Sequence, residues 1–274
     1  MCSACKAVAC LALLLAASVA FAATPELRVC ADPNNMPFSN ARGQGFENKL
    51  AELVAREMGR HVVYTWQAQR SRFFRKTLNA GMCDVVMSVP AKFEEAWPTL
   101  PYYRSSYVFV SLANRHLHLR SFDDPRLRAL KIGVHIVSDD NLPPAQALIS
   151  RGMVRNVVGY SIFGHIFQDN PSAELISGVL QKDIDVAVAW GPLAGYFAKI
   201  APVSLDVTPV CAGKADAGVP FQFSIAMGVR HGDVAMRNKL NRIIERRGTA
   251  IRRLLRSYGV PLTSSQTQAC HLRY

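Results

Sequence analysis

Apolar and polar positions alternate along this chain in two runs of the same design. Residues 27–31 are nearly all apolar, the pattern of a buried strand. Phe46, Leu50, Leu53, Val54 and Met58 then recur at helical spacing, and Gly59 supplies the left-handed residue that ends such a helix. Residues 61–66 are β-branched and aromatic, as in a strand. Ser71 is placed to cap a second helix carrying Phe74 and Leu78 and closed by Gly81, and residues 83–89 form another apolar run. The order is βαβαβ, which predicts parallel strands covered by helices.

The pattern restarts beyond a strand predicted at 107–112 and an irregular basic stretch at 114–128. Strands are predicted at 130–135, 154–158 and 184–190, with helices at 144–150, 172–181 and from Pro192 to Ile200. Residues 203–210 and 221–229 read as later strands. Two closing helices are expected at 234–246 and 250–258, the second capped by Thr249 and stopped by Gly259 and Pro261. Two α/β units joined by two extended connectors describe a bilobal protein. Lobe 1 is expected at 23–111 plus 222–274, and lobe 2 at 112–221. In open α/β sheets ligands sit beyond the carboxyl ends of the strands, so two lobes facing one another that way enclose a cleft.

The first 22 residues read as an address. Lys6 gives a positive start, residues 8–21 an apolar stretch, and Ala20-Phe21-Ala22 a small-x-small cleavage site. The expected product is a periplasmic protein cleaved after Ala22. No later segment is long and apolar enough to cross a bilayer. Formal net charge is +12, and Lys6 is the only charge the leader would remove, so the remainder stays strongly basic. That surplus favours anionic partners, and export sets nucleic acid aside. Cys30, Cys83, Cys211 and Cys270 follow the leader, an even number in an oxidising compartment. Their spacing fits neither a C-x-x-C redox pair nor a zinc ribbon, and three pairings are open.

Motifs of catalysis are missing. No phosphate-binding loop, dinucleotide fingerprint or H-E-x-x-H is present. His116 and His118 share a strand face but bring no further ligands, so no metal and no cofactor is expected. Arg237, Lys239, Arg242, Arg246, Arg247, Arg252, Arg253 and Arg256 cluster near the end of the chain, opposite an apolar stripe. The simplest arrangement packs the stripe on lobe 1 and leaves the arginines in water, where they can steer an acidic partner.

Segments 223–233 and the helices after it resemble the return strand and closing segment of the type II periplasmic binding proteins, the superfamily of amino-acid receptors. A narrower resemblance rests on Cys30-Ala31-Asp32-Pro33-Asn34-Asn35-Met36-Pro37-Phe38-Ser39, Tyr64-Thr65-Trp66, Cys83-Asp84-Val85-Val86-Met87, the segment 102–110 and Trp190-Gly191-Pro192-Leu193-Ala194-Gly195-Tyr196-Phe197. Together these are similar to the J-type (MxaJ/XoxJ) accessory proteins of quinoprotein methanol dehydrogenase systems. The resemblance implies a bilobal α/β type II binding-protein fold. It also implies a periplasmic, non-enzymatic helper that binds and helps activate or assemble a PQQ-dependent methanol or alcohol dehydrogenase, with its c-type cytochrome as a further partner. It implies a Cys30–Cys83 disulfide, leaving Cys211 with Cys270.

Superfamily receptors for amino acids place an arginine after the lobe-1 strand ending near Ser88 and an acid at the end of the last lobe-2 sheet strand. Phe93 and Trp190 stand at those positions. Without both ionic grips, burying a zwitterion costs on the order of several kcal/mol. The rival functions are a component of an ABC importer for a small polar or neutral solute, and a dehydratase on the same fold. The expected cleft residues are Asn34, Asn35, Phe38, Gln69, Arg70, Arg72, Ser88, Tyr102, Ser138, Asp139, Asp140 and Trp190.

Overall fold

The computed structural model describes residues 24–137, 142–162 and 170–263. The expected leader and its cleavage site fall outside the described residues. In chain order the strands and first helices are β1 (Glu26–Ala31), β2 (Asn34–Asn35), β3 (Ser39–Asn40), α1 (Phe46–Glu57), β4 (His61–Trp66), α2 (Phe73–Lys76), β5 (Val85–Pro90) and β6 (Trp97–Leu112). They continue as β7 (Ile132–Ile136), α3 (Pro143–Ile149), β8 (Val157–Ser161), α4 (Glu174–Leu180), β9 (Val186–Trp190), α5 (Gly191–Ile200), β10 (Leu205–Pro209), β11 (Gln222–Val229) and α6 (Val234–Ser257).

One nine-stranded sheet runs through both lobes in the order β4-β1-β5-β11-β6-β9-β7-β8, with β10 added to β6. β1 lies parallel between β4 and β5, the expected βαβαβ unit. β7 lies parallel between β8 and β9, its repeat in lobe 2. The joint is β6, sixteen residues long and far longer than the strand expected at 107–112. Its first part pairs antiparallel with β11 as far as Ser106, and from Tyr107 onward it pairs with β9. Sheet pairing therefore changes lobe between Ser106 and Tyr107, upstream of the boundary placed at residue 111.

Side chains alternate across the sheet, as the two-residue strand period requires. Leu27, Val29, Val85 and Met87 pack with α1 and α6, whereas Cys30 and Val86 face Phe73 and Leu78 on the other side. In lobe 2, Phe109, Ile132, Val134, Val186 and Val188 form one core, and Val108, Val110, Ala187 and Ala189 face α4 and α5. Each fully buried Leu, Ile or Phe contributes about 2 kcal/mol of transfer free energy.

Two helices differ from the expectation. α2 is a single turn that starts after Arg72, whose φ of 68° is left-handed, so Ser71 does not cap it. The two closing helices are one, α6, of 24 residues passing straight through Gly248 and Thr249. Leu240, Ile243, Ile244, Ile251 and Leu255 lie buried along one face. That continuous stripe outweighs the roughly 1 kcal/mol helix cost of an interior glycine.

Cys30 and Cys83 are joined, with alpha carbons 5.6 Å apart. Cys211 is also disulfide-bonded, and Cys270, its expected partner, lies outside the described residues.

After α6 the chain turns back across the junction of the lobes. Ser105 Oγ donates to the Pro261 carbonyl and the Thr263 amide to the Arg104 carbonyl. Here α5 meets the returning chain backbone to backbone: a Cβ on Gly195 would stand 2.0 Å from the Gly259 carbonyl oxygen. Gly195→Ala is therefore expected to lower stability by about 1–3 kcal/mol, read from urea denaturation. Unchanged stability would show that the contact relaxes at no cost.

Candidate functional site

The candidate site is built where strand ends from both lobes converge. Asp32 closes β1 into a turn: its carboxylate accepts from the Asn34 amide at 2.8 Å and from the Gln69 amide at 2.8 Å. The following loop folds over the start of α1. The Pro37 and Phe38 carbonyls accept from the Phe46 and Glu47 amides, which otherwise lack helical partners. A Cβ on Gly45 would stand 2.0 Å from the Phe38 carbonyl oxygen, so this approach requires glycine. The result is a fixed Phe38 ring in contact with Phe46.

The cleft is a cavity of about 340 Å³. Lobe 1 supplies Asn35, Phe38, Pro90, Phe223 and Ile225; lobe 2 supplies Tyr107, His135, Val137, Leu142, Ile162, Ser172, Trp190 and Leu193. Among these described lining residues there is no Asp, Glu, Lys or Arg. Trp190 ends β9 and makes edge contacts with Tyr107 at 5.5 Å and Phe223 at 5.8 Å.

Of the residues expected in the cleft, Asn35, Phe38 and Trp190 line this cavity. Asn34 serves as a clasp, its side-chain oxygen accepting from the Asn170 amide of lobe 2 at 2.9 Å. Beside it, Ser172 Oγ donates to the Met36 carbonyl at 3.3 Å. Gln69 accepts from the Asn35 side chain at 3.3 Å, behind the lining. Arg70 and Arg72 sit in the turn leading into α2 and are not lining residues. Ser88 and Tyr102 lie under the floor, hydroxyls 2.8 Å apart, with Tyr102 donating to the Met87 carbonyl. Ser138, Asp139 and Asp140 lie outside the described residues. Phe93, at the receptor-arginine position, packs on Phe74 with ring centres 4.8 Å apart and does not line the cavity.

Two residues escaped the sequence reading. Glu47 opens α1 as what reads as an ordinary polar helix residue, yet it is 5% exposed. Burial pushes its carboxyl up to about 7, with Ser88 opposing and Asp32 adding to the rise. Glu47, Ser88, Tyr102 and Tyr103 thus form a polar layer under the apolar floor. His135 sits at the carboxyl end of β7, 7% exposed. Burial lowers its imidazole to about 4, against a hydrogen bond to the Ser172 backbone that favours protonation. It reads as one more position in a β-branched strand; only its place at the strand end signals a cleft. Elsewhere, His118 pairs with Asp206 at 3.3 Å, and among the described residues there is no group of three or more potential metal ligands.

Two lobes facing one another across a cavity at their strand ends are the architecture of the two-lobed binding proteins. The family model for bacterial extracellular solute-binding proteins, family 3, matches residues 27–258, and the chain belongs to that family. Within it, the chain is 30% identical over 247 residues to Protein MoxJ of Methylorubrum extorquens, covering 86% of this chain and 81% of that protein. Protein MoxJ of Paracoccus denitrificans is 27% identical over 266 residues, covering 93% and 95% respectively. The crystal structure of periplasmic binding protein XoxJ from Methylobacterium extorquens AM1 superposes with a TM-score of 0.72 at 36% identity, over 87% of this chain and 99% of that one. The chain is thus a periplasmic-type binding protein of the MoxJ/XoxJ kind. Among its described residues no helix is long and apolar enough to cross a membrane.

Proposed function

We propose that this protein is a periplasmic accessory protein that binds a PQQ-dependent methanol or alcohol dehydrogenase and helps activate or assemble it. The observation that carries the reading is an interlobe cavity whose described lining holds no charged side chain, in a chain of MoxJ/XoxJ kinship. A family member retained for amino-acid capture would hold ionic grips there. The enzyme is met through the outer face of α6. Arg246 and Arg247 on that face share Glu57. Arg242, Arg253 and Arg256 are exposed, with no ion pair among the described residues. Such a surface steers an acidic enzyme, and a c-type cytochrome working with that enzyme is the second partner.

The test is a pull-down of the protein from periplasm at low and high salt, with the recovered proteins identified. The dehydrogenase is expected at low salt. Reversing Arg242, Arg253 and Arg256 to Glu is expected to weaken its binding by about tenfold at low salt, with the difference shrinking at high salt. Recovery of no dehydrogenase, or equal binding by the reversed variant, removes the reading.

A further inference from the structure

The cavity is mostly apolar, and one of its few polar lining side chains is left without a partner. His135 Nε2 is buried and has no hydrogen-bond partner, and His135 is one of the lining residues. Burial keeps the ring neutral at neutral pH, and in a neutral imidazole Nε2 makes one hydrogen bond, as donor or as acceptor according to the tautomer. A buried polar atom left unpaired costs about 1–3 kcal/mol, so such atoms ordinarily have a partner. No described residue offers one.

The remaining walls define the rest of the partner. Trp190, Tyr107, Phe223 and Phe38 present ring edges and faces, and Pro90, Ile225 and Leu193 fill between them. No charged side chain among the described residues lines the space, so these walls offer an ionised ligand no compensation. A volume of about 340 Å³ accommodates one small ring with a short substituent.

We infer that the interlobe cavity is a site for a small neutral molecule with a flat apolar body and a single hydroxyl, hydrogen-bonded to His135 Nε2 and packed within the Trp190–Tyr107–Phe223 aromatic cluster. Phenols and aromatic alcohols fit this description. Free amino acids do not. The inference concerns the cleft's own ligand; it shares the cavity lining with the proposed function, but its test involves no dehydrogenase and so fails or succeeds independently of that reading.

The test uses p-cresol, toluene and L-arginine as probes in titrations of the whole protein, followed by Trp fluorescence and by calorimetry. p-Cresol and toluene share a body and differ in the hydroxyl. p-Cresol is expected to bind at least about tenfold more tightly than toluene, the worth of one hydrogen bond to a buried unpaired atom. His135→Phe is expected to abolish that preference while toluene binding persists. Persisting toluene binding shows that the variant still folds around its cavity. L-Arginine is expected not to bind. Equal affinities for p-cresol and toluene in the unaltered protein overturn the inference, as does a preference that survives His135→Phe. No p-cresol binding up to roughly 10 mM, or tighter binding of L-arginine than of p-cresol, also overturns it.

Discussion

Replacing Cys30 and Cys83 together by Ser lowers the unfolding free energy by about 4 kcal/mol, the loop-closure value for a bond spanning 53 residues. The bond ties the turn before β5 to β1, and it encloses α1, β4 and α2. Freed of it, the unfolded chain regains the entropy of that loop. The serine hydroxyls also enter a core in which Cys30 and Cys83 are 1% and 0% exposed. Urea denaturation of the oxidised protein and the double variant measures the difference. A loss below about 1 kcal/mol would mean that the denatured chain already holds these strands together.

The second large effect is a pH dependence carried by Glu47. Its carboxyl is raised from 4.5 to about 7 in the folded protein. Between those values the folded state keeps a proton that the unfolded state has released. Stability therefore falls as pH rises through this window and levels off above it, for a total of about 3 kcal/mol. His135 works in the opposite sense. Its imidazole is lowered from 6.5 to about 4, so the unfolded state binds the extra proton, and stability rises with pH across that window by about 3 kcal/mol. Where the windows overlap the two slopes cancel. Glu47→Gln removes one of them. The variant is expected to match the parent near pH 4.5 and to exceed it by about 3 kcal/mol above pH 7. Stability curves that run parallel across pH would show that Glu47 is not held protonated.

Strand and helix order was legible because the buried elements carry their own periods. Residues 27–31 lie within β1, and 61–66 are β4 itself. The J-type resemblance named the Cys30–Cys83 pair before coordinates placed it. β6 was foreshortened because two prolines three residues apart, Pro98 and Pro101, read as loop, whereas the strand passes through them beside an irregular, bulged β11. α6 was split because Gly248-Thr249 is local punctuation, and the apolar stripe that overrides it is visible only across the whole helix. In the site, the aromatic residues Phe38 and Trp190 announced themselves by position after strands. Glu47 and His135 did not, because burial is a property of what packs around a residue. Tyr102, Tyr103 and Ser88 bury Glu47 from strands far away in sequence.

The clasp formed by Asn34 with Asn170 and Met36 with Ser172 stands on the rim of the cleft, whereas the glycine-to-glycine approach of α5 and the returning chain stands near its hinge. Two neutral hydrogen bonds across the rim contribute about 1 kcal/mol each to holding the lobes together, so trimming the Asn34 side chain loosens the rim while the backbone approach at the junction stays in place.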